Sequence, residues 1–205
     1  MSITFIRHAQ SEANAGGVSK PNPIIELSPL GHQQALALAS EISPPPTKVY
    51  LSEFLRTHQT AAPILDKFSL QPVIVPCLNE FNVFGFDVVK GMTGAQRLPL
   101  AKRYWKTCDP DASFGQGAQS FNEFCAQVGE FITLLAEGRI VDDSIVFGHG
   151  MWFSVFSWLQ ETHSSPPISS TEMKAFFSYL TQHHPANCSQ HILRYTDWPP
   201  TAQLS

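Results

Sequence analysis

The chain has 205 residues, 13 of them Lys or Arg and 17 Asp or Glu, for a net charge of −4 with histidine neutral. Hydrophobic residues make up 43% and charged residues only 15%, where an average domain carries roughly 25% charge. This composition excludes an intrinsically disordered chain, and the acidic balance sets a nucleic-acid partner aside.

A short β-type run at residues 3–7 opens the chain, and Gly16, Gly17, Pro21 and Pro23 mark a loop after it. Ser28 as N-cap and Pro29 at the first helical position start a helix that runs to about residue 42, where Pro44, Pro45 and Pro46 stop it. A second strand is expected at 48–51, a helix at 53–67 and a third strand at 72–75. Periodicity then fades from 76 to 117, with one short helix near 95–105, so this segment is read as an irregular lid or insertion. Phe121, Phe124, Val128, Phe131, Ile132 and Leu135 fall on one face at helical spacing, with Gly138 as the stop. A strand at 144–147, helices at 151–160 and 171–181, and a last strand at 188–195 complete the pattern. Strands alternating with helices predict one α/β domain over residues 1–205, a three-layer sandwich with a mostly parallel sheet and helices on both faces.

The N-terminus lacks a basic segment followed by an apolar one, so no signal peptide is expected. The longest apolar stretch, 151–159, is too short to span a bilayer and contains Ser154 and Ser157. Cys77, Cys108, Cys125 and Cys188 are scattered without a close pair, as expected of reduced thiols in the cytoplasm.

Ligands of open α/β sheets bind beyond the carboxyl ends of the strands. There the sequence places Arg7, His8, Ser11 and Asn14 after the first strand, Ser52 and Arg56 after the second, Glu80 after the third, and Gly148-His149-Gly150 after the fourth. Two arginine forks, two imidazoles and an amide on one rim describe an oxyanion site, for which phosphate is the natural guest. Each residue alone is weak; their conjunction in this order is specific.

These residues make the chain resemble the histidine phosphatase superfamily, in its phosphoglycerate-mutase-like branch (branch 1). Arg7-His8-Ala9 stands where that family has Arg-His-Gly, with Ser11 and Asn14 following. Leu27, Ser28, Gly31, Gln34 and Ala35 match its first helix start. Ser52, Arg56, Gln59, Thr60 and Ala61 match its second segment, and His149-Gly150 its second histidine. The segment from Asn187 is similar to its closing strand. Ala9 departs from the usual Gly, which predicts a methyl close to the bound phosphate. The resemblance implies His8 as nucleophile and Glu80 as general acid and base, with Glu12 and Glu53 as competing carboxylates. It implies Arg7, Asn14, Arg56, His149 and Gly150 as phosphate ligands. The implied activity is metal-independent hydrolysis of a small-molecule phosphomonoester; the alternatives are a mutase or bisphosphatase, or a phosphoprotein phosphatase. Phe81 stands where mutases carry a basic residue, which counts against a mutase.

No cofactor and no metal are expected. His183, His184 and His191 lack a carboxylate or cysteine partner in register and read as structural or solvent-facing. Gly115-Gln116-Gly117 lacks the Lys-Ser/Thr of a phosphate loop and reads as a turn. Five of the 13 basic residues, Lys90, Arg97, Lys102, Arg103 and Lys106, cluster in the lid without an Asp or Glu among them. They form either a basic lip, with Lys102 and Arg103 as its substrate-facing residues, or a solvated helix face. Phe81, Phe84, Phe86, Tyr104 and Trp105 either line a leaving-group pocket or form a satellite core. The substrate's identity and the oligomeric state are open at this level.

Overall fold

A computed structural model describes residues 2–194. The strands are β1 (Ser2–Arg7), β2 (Val49–Leu51), β3 (Val73–Ile74), β4 (Ser144–Gly148) and β5 (Gln190–Arg194). They form one sheet in the order β3-β2-β4-β1-β5. β1, β2, β3 and β4 pair in parallel, and β5 runs antiparallel to β1 at the edge. The expected last residue of β5, Tyr195, and everything after it lie outside the described residues.

Helices cover both faces, as the alternation of elements predicted. On one side Ile6, Val49, Leu51, Ile145 and Phe147 meet Leu38 and Ala39 of α1 (Pro29–Glu41) and Ala61 and Ile64 of α2 (Leu55–Phe68). On the other, Ile3, Phe5 and Val146 meet α5 (Phe121–Ala136), α6 (Gly150–Thr162) and α7 (Ser170–His183). Phe5 is the centre of that side. Its ring lies 5.7 Å from Phe131, 5.9 Å from Trp152 and 5.1 Å from Phe156. The strands are buried on both faces, which is why β4 reads as a continuous buried run rather than an alternating one.

Local signals set the helix ends. Ser28 Oγ accepts the Gly31 N–H at 3.1 Å, with Pro29 at the first helical position of α1. Ser120 with Glu123, and Ser169 with Glu172, close reciprocal capping boxes on α5 and α7. On α5, Phe121, Phe124, Val128, Phe131 and Leu135 are buried and Ile132 is partly so. α2 begins two residues later than expected, because Ser52 Oγ takes the Phe54 N–H and holds that stretch in a turn. β3 shrinks to two exposed residues at the sheet edge.

The segment 76–117 is more regular than its composition suggested. It holds α3 (Phe86–Val89) and the 14-residue α4 (Gly94–Thr107), which extends past the short helix expected there. Thr93 and Gln96 supply α4 with its own capping box. All four cysteines are free thiols. Among the described residues no helix is long and apolar enough to cross a membrane.

Gly31 lets α1 dock against the loop that follows β1. A Cβ at Gly31 would lie 2.0 Å from the Gln10 carbonyl oxygen and 3.0 Å from its carbon. That oxygen already accepts the Ser28 N–H at 2.9 Å. Gly→Ala inside a helix normally gains up to about 1 kcal/mol. Here Gly31→Ala is expected to lose about 1–3 kcal/mol of unfolding free energy, since backbone must move. Urea unfolding of the two proteins measures this, and an unchanged or raised midpoint would contradict it.

Candidate active site

Strand register assembles the centre. β1 and β4 pair Arg7 with Gly148, and the next backbone bond runs from the His8 N–H to the Gly148 carbonyl at 3.0 Å. His8 and His149 therefore leave adjacent strands side by side, with ring centroids 5.1 Å apart. β2 pairs Leu51 with Phe147, so Ser52 arrives next to His149. Arg56 is the second residue of α2.

Arg7, His8, Arg56 and His149 are 9%, 3%, 4% and 0% exposed. Among the described residues neither guanidinium has a carboxylate as ion-pair partner. Arg7 Nη1 donates to the Pro185 carbonyl and approaches His184 Nε2 at 3.3 Å, while its buried Nε has no partner. Arg56 Nη1 donates to the Asn22 carbonyl at 2.9 Å, and its Nε donates to His8 Nε2 at 3.2 Å. Burial lowers the Arg56 guanidinium to about 10, with Arg7 adding to the shift and Glu80 opposing it. Both arginines stay charged near neutrality.

Hydrogen bonds assign the histidine tautomers. His8 Nδ1 lies 2.7 Å from the Ala9 carbonyl and so carries the proton, which leaves the Nε2 lone pair facing Arg56. Burial first, then Arg56 and Arg7, push His8 well below the ordinary imidazole value. Thr57 Oγ1 donates to the Phe54 carbonyl at 2.8 Å, so it accepts from Ser52 Oγ at 3.0 Å. Ser52 Oγ in turn accepts the Nε2–H of His149 at 2.8 Å. His149 Nδ1 is then a buried acceptor with no partner. Burial and the neighbouring Arg56, His8 and Arg7 charges hold His149 neutral as well.

Glu80 follows β3 and lies against the start of α6. Its oxygens accept the backbone N–H groups of Trp152 and Met151 at 3.1 Å each and of Phe81 at 3.0 Å. Burial raises its carboxyl pKa; these bonds and both guanidiniums pull the other way without overcoming it. The competing carboxylates lie elsewhere. Glu12 pairs with Lys20, and Glu53 accepts from Asn79 Nδ2 at 2.7 Å.

Asn14 is oriented by three donors on its Oδ1: the Ser11 N–H, the Ser11 hydroxyl and Asn187 Nδ2. Its own Nδ2 is left as an available donor. Gly150 supplies room. A Cβ there would lie 2.7 Å from His184 Cε1 and 3.2 Å from the Arg7 guanidinium carbon.

A cavity of about 930 Å³ opens over this centre, with Arg7, Asn14, Glu80, Met151 and His184 on its wall and the lid as its far side. His8, Arg56 and His149 are buried off that wall. Two expectations change. Lys102 and Arg103 are exposed and do not line the cavity. α4 turns Arg97, Ala101, Tyr104 and Trp105 inward instead, and helical spacing puts 102 and 103 on the outer face. The Ala9 methyl packs with Leu27 and Ala35 rather than toward a phosphate.

His184, read from sequence as structural or solvent-facing, sits on the cavity wall against Arg7. His191 instead pairs with Ser189 and Phe153. No group of three or more His, Cys, Asp or Glu among the described residues is placed to hold a metal. Ser52 and Asn187 were legible only as motif positions; their roles here come from contacts 97 and 179 residues away in sequence.

The histidine phosphatase superfamily (branch 1) model matches residues 3–203. The chain belongs to this superfamily. A metal-independent phosphoserine phosphatase of Arabidopsis thaliana is 26% identical over 151 residues, 72% of this chain and 63% of that protein. The PE-PGRS family protein PE_PGRS11 of Mycobacterium tuberculosis (strain ATCC 25618 / H37Rv) is 36% identical over 103 residues, 48% of this chain and 17% of that one. The chain thus spans less than two thirds of either relative's length. Among solved structures, a phosphoserine phosphatase of Entamoeba histolytica in complex with 3-phosphoglyceric acid superposes with a TM-score of 0.71 at 19% identity. That match covers 98% of this chain and 93% of the other, and it establishes the shared histidine phosphatase fold.

The two neutral imidazoles link stability to pH. Their folded values lie below 6.5, so the unfolded chain binds protons that the folded chain refuses. Their contribution is complete above 6.5 and is lost as pH falls below it. Glu80, shifted upward, acts in the opposite direction. The melting temperature of wild type is therefore expected to fall more steeply between pH 7 and 5 than that of His149→Gln. Parallel thermal scans read this, and identical slopes would refute it.

Proposed function

We propose that this protein hydrolyses phosphomonoesters of small phosphorylated metabolites, without a metal, through a phosphohistidine on His8. The observation that carries the reading is the pair of buried guanidiniums with no carboxylate partner, flanking an imidazole kept neutral. Two unbalanced positive charges beside a nucleophile suit a phosphate dianion and supply the charge that a metal otherwise would. The Arabidopsis relative named for metal-independent phosphoserine phosphatase activity supports it.

The phosphoryl oxygens take over the Arg56 Nε–H from His8 Nε2, and Arg7 and Asn14 donate to them as well. The arriving dianion favours the imidazolium form of His149. When the ester binds as its monoanion, its proton passes to the ring's Nδ1, which donates it back to the phosphoryl oxygen as a hydrogen bond while Nε2–H stays on Ser52. His8 Nε2 attacks phosphorus; the phosphorus–nitrogen bond forms as the ester phosphorus–oxygen bond breaks. Glu80, whose carboxyl pKa burial raises, is the group that gives a proton to the departing alcohol oxygen. Water then attacks the phosphohistidine, Glu80 recovers a proton from it, and phosphate leaves with His8 restored. Gly150 keeps the space that lets Arg7 approach.

A cavity of about 930 Å³ over the centre is of a size that takes a small molecule, which favours a metabolite over a phosphoprotein. Phe81 stacks on Phe124 at 4.8 Å, so the residue beside Glu80 offers no grip for a second anion and a mutase is disfavoured.

Hydrolysis of p-nitrophenyl phosphate in EDTA is expected for wild type, with a loss of about a thousandfold or more in His8→Ala. Turnover that needs added metal, or that survives in His8→Ala, would overturn the reading. With an alkyl ester, wild-type kcat is expected to fall as pH rises through the elevated Glu80 pKa. Glu80→Gln lowers kcat by about 10²–10⁴-fold and removes that alkaline fall. A variant with an unchanged pH–rate profile would take the acid role away from Glu80.

A further inference from the structure

Of the groups assigned to the phosphoryl site, Arg7, Asn14 and Glu80 stand on the cavity wall, and His8, Arg56 and His149 lie buried behind it. The rest of the wall has no part in the chemistry above, yet the cavity is large. Its volume of about 930 Å³ lies at the upper end of the roughly 300–1,000 Å³ range of pockets that take drug-sized ligands. A glycerate- or serine-sized leaving group would leave most of it unfilled.

The far wall is aromatic. Phe84, Phe86, Tyr104 and Trp105 line it, with Val89 and Ala101 between them. These rings do not depend on a ligand for their positions. Tyr104 holds Phe84 at 6.3 Å and Trp105 at 5.1 Å, and Phe84 stacks on Phe114 at 5.6 Å. The backbone beneath is pinned too. The Gly85 N–H donates to the Phe114 carbonyl at 2.7 Å, and the Phe114 N–H to the Val83 carbonyl at 3.0 Å. Gly85 is required there, since a Cβ would lie 2.5 Å from the Gln116 carbonyl oxygen. Across the opening, Arg97 Nη1 donates to Ser19 Oγ at 3.0 Å and ties α4 to the loop after β1.

The amides on the wall have other work. Asn82 Nδ2 donates to the Gly117 carbonyl, Gln119 Nε2 to Gln127 Oε1, and Gln127 Nε2 to the carbonyls of Cys77 and Asn79. One N–H each of Asn82 and Gln119 and both of Gln127 are engaged in holding the lid. Beside them the four aromatic rings supply the chamber's apolar surface.

We infer that this chamber selects phosphomonoesters whose alcohol carries an apolar ring, which stacks against Phe86 and Trp105 while the phosphoryl group sits among Arg7, Arg56 and His149. The inference rests on the phosphatase reading for the position of the phosphoryl group. Phe86 is the sharpest probe. It lines the chamber, is only half-buried, and among the described residues its ring stacks on no other.

The test uses naphthylethyl phosphate and ethyl phosphate, two primary alkyl esters matched in leaving-group chemistry, and calorimetric binding of the corresponding phosphonates. Wild type is expected to show a kcat/KM about tenfold or more higher for the naphthyl ester, and tighter binding of its phosphonate by a similar factor. Phe86→Ala should lower both advantages by about fivefold through KM, with ethyl phosphate unaffected. Ala101→Phe, which fills the chamber, should remove the advantage while ethyl phosphate still turns over. Equal binding of the two phosphonates overturns the chamber inference whether or not either ester is hydrolysed. A retained binding preference with no hydrolysis of either ester supports the chamber and overturns the phosphatase reading alone.

Discussion

The site depends on positive charge left without a counter-charge. Arg7 and Arg56 are buried, yet what they bond are carbonyl oxygens of Pro185 and Asn22 and the imidazoles of His8 and His184. Burying a charge is costly, and a nearby carboxylate is the usual remedy. Glu80, whose charge bears on both arginines, instead accepts the backbone N–H groups of Met151 and Trp152 at the start of α6. Those bonds hold the Glu80 carboxyl out of an ion pair with either guanidinium. Burial first, and the positive field of the arginines second, keep His8 and His149 neutral beside the place an anion would take.

Holding that arrangement against its own repulsion falls to the sheet and the loops around it. Parallel pairing of β1 with β4 and of β2 with β4 fixes His8, His149 and Ser52 to neighbouring strand ends. The loop after β1 is tied down from two sides. Ala9 N–H donates to Thr60 Oγ1 on α2, and Gln10 N–H to Gln34 Oε1 on α1. The segment before β5 completes the clamp, with Asn187 Nδ2 on the His8 carbonyl at 2.8 Å. Residues far apart in sequence therefore stiffen one short turn, and the aromatic side around Phe5 gives the strands a rigid base.

What the sequence revealed follows from how local each signal is. The strand ends carried Arg7, His8, Arg56, Glu80 and His149 because strand and helix periodicities are short-range, and a parallel sheet gathers its carboxyl ends. The fold class was legible for the same reason. His184 escaped notice because its role depends on Arg7, 177 positions away, and on Gly150 leaving room for both. Lys102 and Arg103 were misplaced because the charge cluster gives no helical phase; only the inward turn of Arg97, Ala101 and Tyr104 fixes it. Ala9 shows a similar limit, since a substitution beside a catalytic residue does not say which way its methyl points. The lid looked irregular because its order comes from cross-links between 82–85 and 114–119, not from periodicity.

The two ends of the cavity discriminate by different physics. Guanidiniums and imidazoles recognise a phosphoryl group by charge and fork geometry, and every phosphomonoester presents the same group to them. In the proposed reaction they act on the group common to all such substrates and cannot by themselves tell one alcohol from another. Selectivity must therefore come from surface that the alcohol touches and the phosphate does not. On the reading proposed above, that surface belongs to the lid, which supplies Phe84, Phe86, Tyr104 and Trp105 to the cavity wall. Arg97 is informative in this respect. It is a lid cation that faces the cavity, and its hydrogen bond to Ser19 ties the chamber's roof to the loop after β1.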